Sequence, residues 1–290
     1  MKLKQSLRVG GVPEHFNLPW QLAAERDVFS NYEIDLSWTM YAGGTGAMTQ
    51  AISNGSLDVA ILLTEGFIAA ASDGLEASIA KVYIDTPLVW GIYASAQSPI
   101  QHVDTFQNKK IAISRFGSGS HLMSMIHASE RTEHLHVNQF EVVNSLQGGV
   151  TALCESRADL FYWEKFMTRP YVNEGQVKGV GEFSAPWSSF LIVVGQHAMR
   201  EKQDAVKQML EIMNGECITF KQDMHSAIHL SKRFDMSIPE ARHWLQNTQW
   251  NYNFDVSLTS LENAKSALIS VNKCNPDLEL RELCASWIQI

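Results

Sequence analysis

The sequence has little positive charge and no long apolar run. Its 23 Lys and Arg residues are outnumbered by 31 Asp and Glu residues, which gives a formal net charge of −8. Binding to a nucleic-acid backbone needs clustered Lys and Arg, so this balance argues against a nucleic-acid partner. A stretch such as 190–194 has the length of a strand, far below the roughly 20 residues that a membrane helix requires. We expect no nucleic-acid partner and no membrane insertion.

Cysteine is scarce, and its spacing suggests neither a disulfide framework nor a metal site. The four cysteines include no CxxC pair. His225 and His229 share one helix face, but no acidic third ligand accompanies them as in the HExxH pattern. The chain also lacks GxSxG, GxGxxG and Gly-Lys-Ser/Thr motifs, and no cysteine stands beside an evident base. The sequence therefore predicts no catalytic residue, no metal and no cofactor.

The first residues lack the pattern of an export signal. Residues 1–6 include two lysines but no apolar stretch follows them, so this segment is not a signal peptide as it stands. The scattered thiols fit a reducing compartment better than an oxidising one. Together these features predict a cytoplasmic location, with a periplasmic location as the alternative if a leader was removed.

A pattern that occurs twice is the most informative feature that the chain does contain. In each copy a glycine-led helix runs into a short polar turn, an Asp and an apolar strand that ends on an acid. The first copy covers 43–65 and the second covers 148–164. Helix–strand units of this kind build parallel sheets, in which ligands lie outside the carboxyl ends of the strands. The repeat predicts two similar α/β lobes whose strand ends face one another across a cleft.

Turn-forming breaks suggest where the chain passes between the lobes. The first polar break after the β-rich stretch 75–94 is 96–99, and 186–189 has the character of a return. Lobe 1 is thus expected to comprise 1–95 and 188–290, and lobe 2 to comprise 96–187. Segment 173–181 lacks regular patterning and is interpreted as turn and loop.

The chain beyond residue 196 changes to helical patterning, with Ser237 and Ser260 as candidate N-caps. The predicted helices of this C-terminal tail are 198–220, 224–234, 239–246, 261–271 and 278–287.

Two glycine-rich loops at helix starts are the best local signals of a binding site. In 117–120, glycines let the backbone approach a ligand, helix N–H groups point outward, and serine hydroxyls add donors. Arg115 adds positive charge suited to a carboxylate, a sulfonate or a phosphate. The loop 43–46 has the same character. An ordinary helix cap is the alternative interpretation of each loop.

Acidic and aromatic side chains near the strand ends give a second signal. Glu65 and Glu164 end the two repeat strands, where a carboxylate can accept hydrogen bonds from an amine or an amidine. The alternatives are solvent exposure or a salt bridge with a neighbour such as Lys165. The nearby aromatic residues could stack on a planar ligand, although aromatic residues in strands more often belong to the core. The predicted ligand-binding residues are Glu14, His15, Phe16, Gly43, Gly44, Thr45, Thr64, Glu65, Arg115, Gly117, Ser118, Gly119, Ser120, Trp163, Glu164 and Trp187.

The segments 108–121, 159–166 and 43–65 together resemble the type II periplasmic binding-protein superfamily. The nearer resemblance is to its branch of nitrate-, sulfonate- and taurine-binding proteins and thiamine-pyrimidine-precursor binding proteins, over roughly residues 7–200. The resemblance implies a two-lobed α/β fold with a central cleft and a helical C-terminal tail. It also implies a non-catalytic protein that closes by hinge motion over one small molecule and is linked to an ABC transporter permease.

In lacking a leader and a lipoprotein cysteine, the chain resembles the cytoplasmic members of that superfamily. The alternative function is therefore a cytoplasmic enzyme on the same fold, such as a menaquinone-pathway lyase. In that case Glu65, Glu164 or His15 would act as the acid or base.

Two charge arguments bear on the class of ligand. Arg115 and two helix N-termini favour an anion, whereas Glu65 and Glu164 beside aromatic residues favour a planar nitrogen heterocycle with an amine. The end of a strand fixes Glu164 more firmly than a loop fixes Arg115. The sequence therefore predicts an aminopyrimidine-like ligand, ahead of sulfonates and carboxylates.

Overall fold

The computed structural model describes residues 4–290, which form two five-stranded sheets. The first sheet contains β1 (Gln5–Gly11), β2 (Ile34–Met40), β3 (Val59–Leu63), β4 (Ala77–Ile84) and β10 (Phe190–Gly195). The second sheet contains β5 (Val89–Ser95), β6 (Ile111–Ile113), β7 (Phe140–Val142), β8 (Leu160–Glu164) and β9 (Val177–Ser184).

The two sheets repeat one topology. Their strand orders are β2-β1-β3-β10-β4 and β7-β6-β8-β5-β9. In each sheet the first three strands are parallel, and the fourth is antiparallel to both of its neighbours. The strands of the repeated pattern, β3 and β8, therefore occupy the same position in the two sheets.

Helices connect the strands and make up most of the chain after β10. They are α1 (Leu18–Glu25), α2 (Gly44–Ser53), α3 (Thr64–Ser72), α4 (Gly119–Glu130), α5 (Leu146–Cys154), α6 (Arg169–Asn173), α7 (Gln196–Glu201), α8 (Gln203–Gln222), α9 (Ser226–Phe234), α10 (Ile238–Asn247) and α11 (Leu258–Ser270). The predicted α/β class, with paired halves and a helical C-terminal tail, is confirmed.

The chain passes between the sheets at 85–88 and again at 185–189. Residues 89–95, which the sequence assigned to lobe 1, form β5 and pair with β8 and β9 of the second sheet. The predicted boundary at residue 95 therefore lies one strand too late. The polar break at 96–99 follows β5 as a turn, closed by a hydrogen bond of 2.9 Å from Ser98 N to Ser95 O. The half built on the first sheet is called the first half, and the half built on the second sheet is called the second half.

Segment 173–181 was predicted to be turn and loop, but most of it lies in β9. The cause is an irregularity in the pairing with β5, where Ile92 lies opposite Gly181 and Tyr93 lies opposite Gly179. Val180 is the extra residue of this bulge, so the buried positions of the strand no longer alternate. An alternation of buried and exposed residues predicts a strand, and the bulge interrupts that alternation in β9.

The predicted helix 278–287 is also wrong, because this segment runs beside the edge strand β4. Only Leu280–Leu283 form a short 3-10 turn. Ala285 N donates to Ile79 O at 2.9 Å, and the indole Nε1 of Trp287 donates to Ala80 O at 3.0 Å. The segment thus satisfies backbone groups of β4 that an isolated edge would leave unpaired.

One buried apolar cluster extends through both halves. At the start of α4 the contact is close, since a Cβ added to Gly119 would lie 2.5 Å from Cη2 of Trp90 and 2.9 Å from Cδ1 of Leu63. Leu63 ends β3 in the first half, and Gly119 belongs to the second. Only glycine therefore allows α4 to begin directly against the first sheet.

Candidate functional site

A cavity of about 340 Å³ lies between the two halves. Its walls come from the segments that follow the parallel strands of both sheets, which is the general location of ligands in open parallel sheets. Its lining residues are Val12, Pro13, Glu14, Ala42, Gly43, Gly44, Thr45, Leu63, Leu88, Trp90, Ser114, Arg115, Ser118, Gly119, Ser120, Ser145, Leu146, Gln147, Trp163, Glu164, Met167, Tyr171 and Phe190.

Many of the residues predicted from the sequence line this cavity, and they come from both halves. They are Glu14, Gly43, Gly44, Thr45, Arg115, Ser118, Gly119, Ser120, Trp163 and Glu164. Their contact with a ligand stays a prediction.

The other predicted residues do not line the cavity. They are His15, Phe16, Thr64, Glu65, Gly117 and Trp187. Phe16 is buried against Phe190, with ring centroids 5.0 Å apart. Gly117 is exposed, and its amide donates to Nδ1 of His121 at 3.0 Å.

Thr64, Glu65 and Trp187 instead join α3 to the segment that returns from the second sheet. Thr64 N donates to Ser189 O at 3.0 Å, and Glu65 accepts a hydrogen bond from the Trp187 indole. Glu65 was expected at a strand end, but β3 stops at Leu63 and Glu65 lies in the first turn of α3. Its side chain is buried beside the crossing, outside the cavity.

Three helices begin at the cavity wall. Gly43–Thr45 lead into α2, Ser118–Ser120 lead into α4, and Ser145–Gln147 lead into α5. Ser118 and Ser145 cap their helices by accepting from the backbone, whereas no side chain caps α2. Helix N-termini present N–H groups and partial positive charge, so this wall favours an anion.

The serine hydroxyls of the 117–120 loop are largely engaged within the protein. Ser118 Oγ donates to Arg115 O at 2.7 Å, and Ser120 Oγ accepts from Ser114 N at 3.0 Å. The two hydroxyl oxygens lie 3.0 Å apart. These bonds fix the loop, so its contribution to a ligand comes mainly from backbone N–H groups and from Arg115.

The Arg115 side chain reaches from the second half onto α2 of the first half. A Cβ added to Gly46 would lie 2.6 Å from Arg115 Nε, and one added to Gly44 would lie 3.8 Å from its terminal nitrogens. Burial lowers the pKa of the guanidinium, although Arg115 stays cationic at neutral pH. Within residues 4–290 the guanidinium forms no hydrogen bond or ion pair. Arg115 is thus a partly buried cation at the cavity without a counter-ion among the described residues.

Two carboxyl groups face the same cavity. Glu14 follows β1, and Glu164 ends β8 with only 4% of its side chain exposed. Burial raises the pKa of Glu14 from 4.5 to about 7. Burial, with the nearby charge of Glu14 as a second cause, raises the pKa of Glu164 well above its ordinary value. Both shifts favour the protonated form of the two acids.

His15 lies directly behind Glu164. Its Nε2 is 3.7 Å from Glu164 Oε2, which is too long for a hydrogen bond, and neither ring nitrogen has a partner among the described residues. The ring contacts Phe16 and Trp244, with centroids 4.6 Å and 4.5 Å away. Burial lowers the pKa of His15 to about 3, so the imidazole is neutral.

Comparison with known proteins relates the chain to a family and to several solved structures. The sequence model of the family described as Ca3427-like PBP matches residues 90–183. The structure of the Candida albicans CA3427 gene product, described as having the generic periplasmic binding protein fold, superposes with a TM-score of 0.88. That alignment covers 98% of each chain at 22% identity. No curated protein sequence matches the chain.

Two sulfonate-binding proteins have similar structures. The periplasmic aliphatic sulphonate binding protein SsuA from Escherichia coli gives a TM-score of 0.73 at 16% identity, covering 97% of each chain. The alkanesulfonate-binding protein SsuA from Xanthomonas axonopodis pv. citri, bound to MOPS, gives 0.80 at 12% identity. The alignment with the latter covers 97% of this chain and 98% of the other.

The chain has the periplasmic-binding-protein fold. The fold predicted from the sequence is confirmed, and the similar structures include two sulfonate-binding proteins. Of the similar proteins named above, the two SsuA proteins have a stated function, and both bind a sulfonate solute. Across residues 4–290, no helix combines the length and apolar character needed to cross a bilayer. The same residues contain no group of three or more His, Cys, Asp or Glu side chains placed to hold a metal ion.

Within this fold, sequence reasoning missed most of the apolar cavity wall. Trp90 belongs to the strand that was assigned to the other half, and Leu88 lies in the crossing just before it. Met167 and Phe190 follow or begin strands and resemble ordinary core residues in sequence. Ser145 could have been found, because it stands at the helix start of the second repeat as Gly43 does in the first.

Proposed function

We propose that the protein is a solute-binding protein that holds one small anion with an apolar body between its halves. The observation that carries this proposal is the position of Arg115, which has no counter-ion within residues 4–290 and faces a cavity where three helices begin. An anion there accepts charge-assisted hydrogen bonds, each contributing about 1.5–3 kcal/mol.

The cavity wall supports an apolar body on that anion. Leu88, Trp90, Trp163, Met167 and Phe190 contribute large apolar surfaces beside the polar loops. A cavity of about 340 Å³ is at the small end of the range of about 300–1,000 Å³ found for small-molecule sites. A short alkanesulfonate or a carboxylate of similar size suits both properties, and the similarity to two sulfonate-binding proteins gives sulfonates the first place.

The proposal reverses the order of ligand classes given by the sequence. That order depended on Arg115 being poorly fixed and on Glu65 and Glu164 both lying at the site. In the structure Arg115 lies between the cavity and α2, whereas Glu65 lies outside the cavity. The aminopyrimidine-like ligand stays an untested prediction. So do hinge closure, delivery to an ABC transporter permease and the choice between a cytoplasmic and a periplasmic location.

A cytoplasmic enzyme on this fold is the second candidate, and one observation favours it. Glu14 lines the cavity with a pKa raised by burial to about 7, which is the range suited to a general acid or base. Glu164 and His15 lie beside it. Glu65 and its crossing contacts take no part in such a site.

Calorimetric titration of the protein with butanesulfonate, MOPS and butyrate tests the binding proposal. We expect saturable binding by the wild type and at least a tenfold loss of affinity in Arg115→Gln, because one charge-assisted bond exceeds about 1.4 kcal/mol. Arg157→Gln is the matched control, since Arg157 is exposed and pairs with Glu141 and Glu155. Absence of binding by all three anions, or equal affinity in Arg115→Gln, would contradict the proposal.

Native mass spectrometry of freshly purified protein separates the binder from the enzyme. Retention of an unmodified metabolite supports a binder. Conversion of that metabolite to a product of different mass, abolished in Glu14→Gln, supports the enzyme instead.

A further inference from the structure

The cavity holds a cation and a pair of carboxyl groups that do not neutralise one another. No ion pair joins Arg115 to Glu14 or to Glu164 anywhere in the described chain. Burial is the cause of the raised pKa of Glu14, and the charges that act on Glu164 come from Glu14 and Lys165. The Arg115 side chain lies against Gly46 of α2, and burial, rather than the charge of either acid, is the cause of its lowered pKa. The cavity therefore presents a cation and two acids that are not paired with one another.

Glu164 is buried yet only half satisfied. Its Oε2 accepts from Met167 N at 2.7 Å, whereas Oε1 accepts no hydrogen bond from residues 4–290. The side chain is 4% exposed and lines the cavity. Oε1 is not fully enclosed by the protein, so it is accessible from the cavity and open to a donor supplied by a ligand.

Glu14 presents a second carboxyl to the cavity from the other half. Its side chain forms no hydrogen bond within the part of the chain that the structure describes, and it lies near enough to Glu164 to raise the pKa of that residue. One carboxyl thus comes from each side of the cavity. A protonated amine between them would remove the repulsion and satisfy both oxygens.

We infer that Glu14 and Glu164 form a subsite for a protonated amine, and that the ligand is a short zwitterion whose acid lies at Arg115. This inference depends on the anion site of the proposed function and adds the second pole. The apolar wall between the poles takes the aliphatic or aromatic spacer of the ligand. A simple alkanesulfonate would fill the anion site and leave the carboxyl pair without a donor.

Other titratable groups around the pair do not provide this donor. The Nε2 atom of His15 lies 3.7 Å from Oε2 of Glu164, and the imidazole is neutral. The charge of Glu164 contributes to the raised pKa of Tyr93, whose hydroxyl donates to Lys165 O at 3.2 Å. Lys165 itself pairs with Glu182 at 2.6 Å, directed away from the cavity. The amine must therefore come from the ligand.

Two isosteric pairs of probes test the inference, because each pair exchanges a terminal methyl group for an ammonium group. They are butanesulfonate against 3-aminopropanesulfonate, and pentanoate against 4-aminobutyrate. We expect the wild type to bind the amino member of a pair about tenfold or more tightly. In Glu164→Gln and in Glu14→Gln, this preference should fall to near unity. Glu182→Gln, outside the cavity, should keep the preference.

Proton release gives an independent readout. Because burial favours the protonated form of both acids, docking of an ammonium group between them should release protons, whereas binding of a simple anion should not. Titration calorimetry at pH 7 in Bis-Tris and in Tris buffer, which differ in ionisation enthalpy and contain no anion that competes at Arg115, measures the number of protons released.

The outcomes separate the inference from the proposed function. If simple anions bind and the amino members bind no more tightly, the inference is wrong and the proposed function stands. If the amino preference persists in both Gln variants, the subsite is elsewhere and the inference is again wrong. If no member of either pair binds to the wild type, both fail. Should Glu164→Gln not fold, Glu14→Gln and the wild-type preference decide the question.

Discussion

The indole Nε1 of Trp187 donates a hydrogen bond of 2.9 Å to Oε2 of Glu65, and both side chains are buried. Trp187 lies in the return crossing between β9 and β10, whereas Glu65 lies in the first turn of α3. A neighbouring bond strengthens the connection, because Ser188 N donates to Ser260 Oγ of α11 at 2.9 Å. The return crossing is thus tied on both sides to helices of the first half.

Glu65 should make the stability of the protein depend on pH. Burial raises its pKa from 4.5 to about 7, partly offset by the bond from Trp187. The folded protein therefore binds more protons than the unfolded chain between these values. This contribution to the free energy of unfolding is fully present below pH 4.5 and is lost as pH rises through about 7.

As pH rises from about 5 to about 8, the free energy of unfolding of Glu65→Gln should consequently fall less than that of the wild type. Urea unfolding at several pH values measures the difference. Glu14 and Glu164 act in the same direction, so part of the slope will remain. Glu182→Gln, an exposed substitution, should keep the full slope. An unchanged slope in Glu65→Gln would contradict the assignment.

Asp58 and Asp159 occupy equivalent positions in the two repeats but should differ in their contribution to stability. Asp58 is buried and accepts from Arg8 N, Nε and Nη2 at 2.9, 3.0 and 2.7 Å, and from Lys202 Nζ at 3.0 Å. Asp159 accepts from the backbone of Lys110 at 2.8 Å. We expect Asp58→Asn to cost about 2–4 kcal/mol and Asp159→Asn to cost below about 1.5 kcal/mol, as measured by chemical denaturation.

The same pair predicts different behaviour in acid. Burial opposes ionisation of Asp58, but the bonds from Arg8 and Lys202 outweigh it and lower its pKa from 3.8 to about 2. Its stabilising contribution is therefore present above pH 3.8 and is lost as pH falls through about 2. In Asp58→Asn, the free energy of unfolding should therefore fall less steeply than in the wild type as pH decreases from 3.8 to about 2. Equal costs for the two substitutions would show that the charged partners contribute nothing.

Gly46 should control ligand affinity without being needed for folding. A Cβ there would lie 2.6 Å from Arg115 Nε, so Gly46→Ala must displace the guanidinium, while the helix itself gains about 1 kcal/mol of intrinsic propensity. We expect about a tenfold loss of butanesulfonate affinity in titration calorimetry. Gly215→Ala in α8 is the matched control, because its added Cβ meets nothing within 4 Å. It should raise stability and leave affinity unchanged, and an equal affinity in Gly46→Ala would refute the role of Arg115.

The repeat could be found from the sequence because its features are local. Asp58 and Asp159 each precede a strand and accept the backbone N–H of the adjacent strand, from Arg8 and Lys110. The glycine-led helix starts are equally local, since glycine and serine preferences at such starts depend on backbone geometry within a few residues. These features sufficed to predict the two halves and their facing loops.

The rest depended on contacts between distant parts of the chain. Nothing next to Glu14 in sequence shows that it shares a cavity with Glu164 of β8. Trp90 was assigned to the wrong half because the short polar break Asp85-Thr86-Pro87, where the chain crosses, was included in one long β-rich stretch. Ser260 was predicted as an N-cap, but Ser257 caps α11 by accepting from Ser260 N, and Ser260 Oγ accepts from the return crossing instead. Such partners become visible only when both ends of a contact are known.

The pairing of β5 with β9 places Val89 directly opposite Ser184. The chain therefore enters and leaves the second half at one point, as at the two ends of an insertion. In engineering terms, 89–184 is a cassette, because its ends are neighbours and a short linker could close either the cassette or the gap that it leaves. Because these two ends are adjacent, new chain termini could also be opened inside 89–184 while the two resulting segments stay together in the fold.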